Sequence, residues 1–245
     1  MLELSKETSD NLNYLKLAYM QENWRKVIAD WQSKPEAQTL ENILRLEAIE
    51  KKSRSIQRRI VEAKLGRFHR MHDFDWNHPT EIDRNRIERL LNLDFLASGQ
   101  NVIFIGPQGL GKTMLSKNIA WNTVNKGYRA LFSTASKIVA DLLHSGHKFE
   151  TAMKKYTSPD VLVIDELGYL SFEQKAADAL FEVISRRYES KPIVLSTNLG
   201  FADWPTIFPG AACVTALVDR LTHNAEIVRI TGPSFRTKQT RSKKV

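Results

Sequence analysis

A chain of 245 residues carries 36 Lys and Arg against 28 Asp and Glu, a formal charge of +8. With 42% apolar and 26% charged residues it has the composition of a globular protein of one large domain, or of one domain with a small appendage. Eleven glycines and eight prolines exclude a collagen-like or linker-dominated chain, and no run approaches the ~18 apolar residues of a membrane span. The opening MLELSKETSD lacks the basic start and apolar centre of a signal peptide, and Cys213 is the one cysteine. A lone cysteine excludes an internal disulfide or a zinc finger and suits a reducing compartment, so a cytoplasmic protein is expected.

The first 66 residues read as helices. Leu12, Leu15, Leu17 and Met20 recur at helical intervals, as do Leu40, Ile43, Leu44 and Ile49 and then Ile56 and Ile60. Pro35 separates the two stretches and Gly66 ends the second. Residues 45–70 hold nine basic side chains against three glutamates, a local charge of +6. Lys51, Arg54 and Arg58 fall at i, i+3 and i+7, giving the helix a basic face. Residues 67–82 form an irregular, aromatic and polar connector, and a short helix is predicted from about Asp83 to Leu96.

From Gln100 the pattern alternates between strand and helix. Strands are predicted at 101–105, 130–133, 161–164, 193–196 and 226–230, with helices at 113–125, 136–144, 149–156, 173–188 and 215–223. This order implies an α/β fold with a mostly parallel sheet between helices, over residues 83–236. The last ten residues hold five basic side chains and no acid, so both ends are basic and the middle is mildly acidic. Such asymmetry points to a polyanionic partner.

The chemistry begins at Gly106-Pro107-Gln108-Gly109-Leu110-Gly111-Lys112-Thr113, followed by Met114. This is a complete P-loop after a strand and at the start of a helix. Its glycines let successive N–H groups face phosphate oxygens, and the helix N-terminus adds positive potential. Lys112 is expected at the β- and γ-phosphates, and the Thr113 hydroxyl is placed to ligate Mg²⁺. Four apolar residues then deliver Asp165 and Glu166 to the carboxyl end of their strand, where open α/β sheets bind ligands. Asp165 is expected to hold Mg²⁺ through water, and Glu166 to orient and deprotonate an attacking water.

Asn198, ending the next strand, is expected to hold that water or sense the γ-phosphate. Arg220 reads either as a finger reaching a neighbouring subunit's γ-phosphate or as half of an intrachain pair with Asp219. Arg186 and Arg187 are rival fingers. His69, His72, His78, Asp73 and Asp75 lie close in sequence, but their spacing fits no standard metal site, and they read as polar connector residues.

In this order the P-loop, Asp165-Glu166, Ser196-Thr197-Asn198 and Val218-Asp219-Arg220-Leu221 resemble the AAA+ ATPases. The chain is more closely similar to the IstB-like ATP-binding proteins, helper ATPases of transposition, through residues 66–76, 165–170, 180–189, 196–199, 217–229 and 234–236. DnaC-type helicase loaders share the ATPase half and the Asp-Arg helix.

The resemblance implies a small all-helical N-terminal domain (1–66) before an AAA+ P-loop NTPase with no separate C-terminal lid, and a basic tail (237–245). It implies an ATPase using ATP and Mg²⁺, homo-oligomers on duplex DNA, and recruitment of a cognate transposase. By carry-over, Lys112 and Thr113 are the P-loop pair, Asp165 and Glu166 the Walker B acids, Asn198 the sensor and Arg220 the finger. The connector around Phe74–Trp76 is expected near the base. Lys51, Lys52, Arg54, Arg58 and Arg59 are the expected phosphate contacts on DNA, largely independent of sequence. A helicase loader and an ATP-gated DNA scaffold with little turnover are the alternative functions.

Overall fold

The computed structural model describes residues 4–27, 35–168 and 173–235. The chain forms two compact units, residues 1–58 and 59–245. The expected basic tail lies outside the described residues, as does the region on which the expected lack of a lid turns.

The first unit is helical. Helices α1 (Lys6–Leu15), α2 (Ala18–Glu22) and α3 (Trp24–Val27) precede a long α4 (Pro35–Glu62). Ser5 caps α1 by accepting from the Thr8 N–H, and Lys16 ends it in a left-handed conformation. Leu12, Trp24 and Leu44 are buried together, with Leu15, Leu17 and Met20 packed around them. Pro35, expected as a separator, is the first residue of α4, where its missing N–H costs no helical hydrogen bond.

The second unit is a five-stranded, fully parallel sheet: β1 (Asn101–Ile105), β2 (Ala130–Thr134), β3 (Val161–Leu167), β4 (Ile193–Thr197) and β5 (Ala225–Arg229). Its order is β2-β3-β4-β1-β5. Helices α5 (Arg84–Leu91) and α6 (Phe95–Ser98) precede it. Then α7 (Lys112–Asn125), α8 (Ala135–Leu143), α9 (Phe149–Thr157), α10 (Gln174–Arg187), α11 (Trp204–Ile207) and α12 (Val214–Thr222) alternate with the strands. Strands β1, β3 and β4 are apolar and buried almost throughout, as a sheet covered on both faces requires.

The helix expected over 83–96 is two helices. Asn92 ends α5 and Leu93 takes φ +69°, so the helical ladder cannot run through it. The core beside α8, α9 and α10 is closed by a polar tie. Asp141 on α8 accepts from Tyr156 Oη at 2.5 Å and from Lys155 Nζ, both on α9. Burial pushes the Asp141 carboxyl up, but these donors outweigh it and hold the group at about 2.

Because β1 lies between β4 and β5 while the chain crosses from β1 to β2 at the far edge, the strand order reverses beside β1. Crevices in open α/β sheets form at such a point, beyond the carboxyl ends of the strands.

Candidate nucleotide-binding site

The loop after β1 fills that crevice. Gly109 and Gly111 take φ +78° and +83°, conformations that cost an L-residue about 1–2 kcal/mol and glycine nothing. A Cβ on Gly111 would also meet the Phe74 ring at 2.6 Å. Gly111 is the N-cap of α7, so the loop's N–H groups and the helix end converge. Lys112 is buried and its Nζ donates to the Gly106 and Pro107 carbonyls at 2.6 and 2.7 Å, which folds the ammonium over its own loop. Thr113 and Met114, half-buried, open α7, and Leu110 is buried beneath the loop.

The two acids do not simply end β3. The strand continues to Leu167 through a register shift: Ile164 faces Leu195 and Leu167 faces Thr197. Asp165 and Glu166 together therefore oppose the single residue Ser196, a β-bulge. The bulge gives the two carboxylates opposite fates. Asp165 is 2% exposed, and Glu166, at φ +62°, is turned out to the cleft. Ser196 Oγ ties them together, donating to Asp165 Oδ1 and accepting the Glu166 N–H at 3.2 Å. Ser196 has no role in the sequence reading, which assigns this strand end to Asn198. Its signal, a serine facing two acids, depends on register. Asn198 is half-buried, its Oδ1 is buried without a hydrogen-bond partner among the described residues, and it does not line the cleft beside the P-loop.

A cleft of about 320 Å³ joins these parts, lined by Gly109–Met114, Glu166 and Ser196 and by the connector. Asn118 of α7, itself buried, holds the connector by donating to the His69 carbonyl at 2.9 Å. The Arg70 guanidinium lies 3.4 Å from the centre of the Trp121 ring, also on α7. Phe74 touches Trp76 edge-on at 4.8 Å. His69 and His72 both turn to the Asp73 carboxylate. Among the described residues no three His, Cys, Asp or Glu side chains gather as a metal cage.

The arginine candidates separate clearly. Arg187 is 1% exposed and donates to five carbonyls, those of Tyr156, Thr157, Pro159, Asp160 and Pro192. Such a side chain cannot reach another subunit, which removes it as a finger. Arg186 forms a bidentate pair with Glu150 at 2.8 and 2.9 Å and bonds Glu182 at 2.7 Å. Arg220, half-buried, bonds the Ser185 hydroxyl rather than Asp219, and its guanidinium lies 4.4 Å from the Phe181 ring centre.

Of the expected DNA contacts, Lys51 donates to the Tyr14 carbonyl at 2.7 Å, and Lys51 and Lys52 lie 5.0 and 5.4 Å from the Tyr14 ring centre. Arg54 pairs with Glu47 and Glu50, Arg58 is exposed and Arg59 is half-exposed. No helix among the described residues is long and apolar enough to cross a membrane.

The fold is that of AAA+ proteins. The chain is similar to the crystal structures of DnaI (TM-score 0.56, 21% identity, 70% of this chain and 92% of that one) and of the DnaC helicase loader (0.53, 21%, 64% and 98%). AMPPCP-bound DnaA from Aquifex aeolicus matches at 0.51, with 21% identity over 70% of this chain and 56% of that one. Sequence relatives reach further. The insertion sequence IS5376 protein of Geobacillus stearothermophilus is 36% identical across 93% of this chain and 92% of its own length. The insertion sequence IS21 protein of Pseudomonas aeruginosa is 34% identical across 77% and 72%. Both are named provisionally for ATP binding. The model of the IstB-like ATP binding protein family matches residues 10–243, through the helical region, the P-loop and the bulged acidic strand alike, and the chain belongs to that family.

Proposed function

We propose that this chain is an ATP-hydrolysing helper of insertion-sequence transposition. It binds ATP at Gly106–Met114, assembles with copies of itself on duplex DNA, recruits or activates a partner transposase, and hydrolyses ATP at subunit interfaces. The observation that carries the hydrolytic part is the β3 bulge, which buries Asp165 and exposes Glu166 beside the P-loop. The transposition part is supported by family membership and by insertion-sequence relatives that match over most of their length. DnaI and the DnaC helicase loader offer a common fold at 21% identity, which supports no shared task.

Each residue's role follows from its setting. The loop N–H groups and Lys112 take the phosphates, with Nζ exchanging the loop carbonyls for phosphate oxygens. A carboxylate as buried as Asp165 is costly unless donors or a cation meet it, and Ser196 supplies one hydrogen bond. Asp165 and the Thr113 hydroxyl are hard oxygen donors of the kind Mg²⁺ takes, and they are the residues that would hold it, Asp165 through water. An ion held there would supply positive charge opposite the phosphate oxygens. Glu166, aimed into the cleft, accepts a proton from the attacking water, and Asn198, just past the end of β4, helps to orient that water. Arg220 acts in trans after leaving Ser185 and Phe181. Lys51, Lys52, Arg54, Arg58 and Arg59 meet DNA phosphates.

Turnover and nucleotide binding, measured with and without duplex DNA, test the site. Lys112→Ala is expected to lose nucleotide binding. Glu166→Gln is expected to bind ATP while turnover falls about 10²–10⁴-fold, the usual worth of a general base. Wild-type turnover in Glu166→Gln would remove the water-activating role.

A further inference from the structure

The segment that follows β5 packs against the P-loop. Where a peptide unit of the loop turns its N–H inward, its carbonyl turns outward and needs a donor. The Gly109 carbonyl finds one in the Phe235 N–H, at 3.1 Å. Two loop glycines have the space of their missing Cβ taken by this segment. A Cβ on Gly109 would lie 2.2 Å from Ser234 Oγ, and one on Gly106 would lie 2.1 Å from the Ile230 carbonyl oxygen.

The segment is itself held by the connector. Thr80 N–H donates to the Thr231 carbonyl at 2.8 Å, and Thr231 and Glu81 form an isolated antiparallel bridge. His78 Nε2 lies 2.8 Å from the Pro233 carbonyl. A carbonyl only accepts, so Nε2 carries the proton there. The His78 ring then meets Phe235 edge-on, with centroids 4.8 Å apart and planes at 81°. Both rings line the nucleotide cleft.

We propose that residues 231–235 are a strap that sets the shape of the phosphate cradle, with Phe235 and Ser234 as positioning residues and His78 as the clasp. The strap meets the loop at the Gly109 carbonyl and leaves Glu166 and Asp165 to their own supports, so it governs how tightly nucleotide is held. This rests on the proposed nucleotide binding at the same loop. Because Gly109 lies where a P-loop meets the phosphates common to both nucleotides, loosening it weakens ATP and ADP alike.

The test uses the full chain and a fluorescent ATP or ADP analogue, with thermal melting in parallel. His78→Leu removes the donor to Pro233, and Phe235→Ala removes the ring that His78 braces. Each is expected to raise both dissociation constants by the same factor, about three- to tenfold, the equivalent of about one net hydrogen bond. His78→Gln can still donate to the Pro233 carbonyl and is expected to restore most of the affinity, which a simple packing role would not predict. Unchanged nucleotide affinity in His78→Leu and Phe235→Ala overturns the strap, as does a lowered melting temperature with no change in affinity. Should Phe235→Ala fail to fold, the Leu and Gln pair at His78 decides by itself. A wild-type protein that binds neither nucleotide overturns the nucleotide reading instead.

Discussion

Arg187 shows what a single buried charge demands. Burial alone pushes the guanidinium toward losing its proton, while nearby Asp160 works the other way. Five carbonyls, at the end of α9, before β3 and before β4, share its Nη1 and Nη2 N–H groups, and among the described residues Nε is buried without a partner. No other side chain ends in four N–H donors held in one rigid plane. Arg187→Met keeps the volume and strands those carbonyls. It is expected to cost about 3–5 kcal/mol, the scale of breaking a buried polar network. Urea unfolding measures it, and a loss below about 1 kcal/mol would mean that water reaches the carbonyls.

At the scale of elements, β3 and β4 are matched through the bulge. Ser196 holds a buried acid and the backbone of an exposed one with a single hydroxyl. Ser196→Ala is expected to retain ATP binding and lower turnover about tenfold or more, since a base held loosely loses its geometry. Equal turnover in the variant would show that the bulge is set by backbone pairing alone.

This pair also marks where sequence reading stops. The P-loop is legible because glycine, lysine and threonine at fixed spacing have a local purpose. The strands are legible because a sheet covered on both faces must be apolar throughout. Asp165 and Glu166 are legible as a pair. Their opposite exposure is not, because it follows from a register shift against residues 30 positions away. The strap is hidden for the same reason: Phe235 N–H and the Gly109 carbonyl meet only after the sheet has closed. Local patterns also overextend, and the helix expected over 83–96 is broken where Leu93 turns left-handed.

For the whole molecule the charge asymmetry is the quantity to test. If α4 meets duplex phosphates, replacing Lys51, Lys52, Arg54, Arg58 and Arg59 with alanine weakens binding and flattens its salt dependence. Five full phosphate contacts are worth a slope of about −0.9 each. Arg54 already answers to Glu47 and Glu50, and Lys51 to the Tyr14 carbonyl, so each counts for less than a free cation. The log affinity against log salt is expected to lose about 3–4 units of slope. Affinity and slope that match the wild type would return this face to ordinary solvated surface.

The left-handed backbone at Glu166 sets durability against work. A non-glycine residue there carries about 1–2 kcal/mol of strain, and glycine, though costlier to order by about 0.5–1 kcal/mol, would relax it. On the proposed mechanism the residue that the backbone would favour is one that cannot take a proton from water. Selection of position 166 variants for heat resistance alone would therefore drift toward inactive protein. A lineage that stopped needing hydrolysis would have a downhill path to lose it here first.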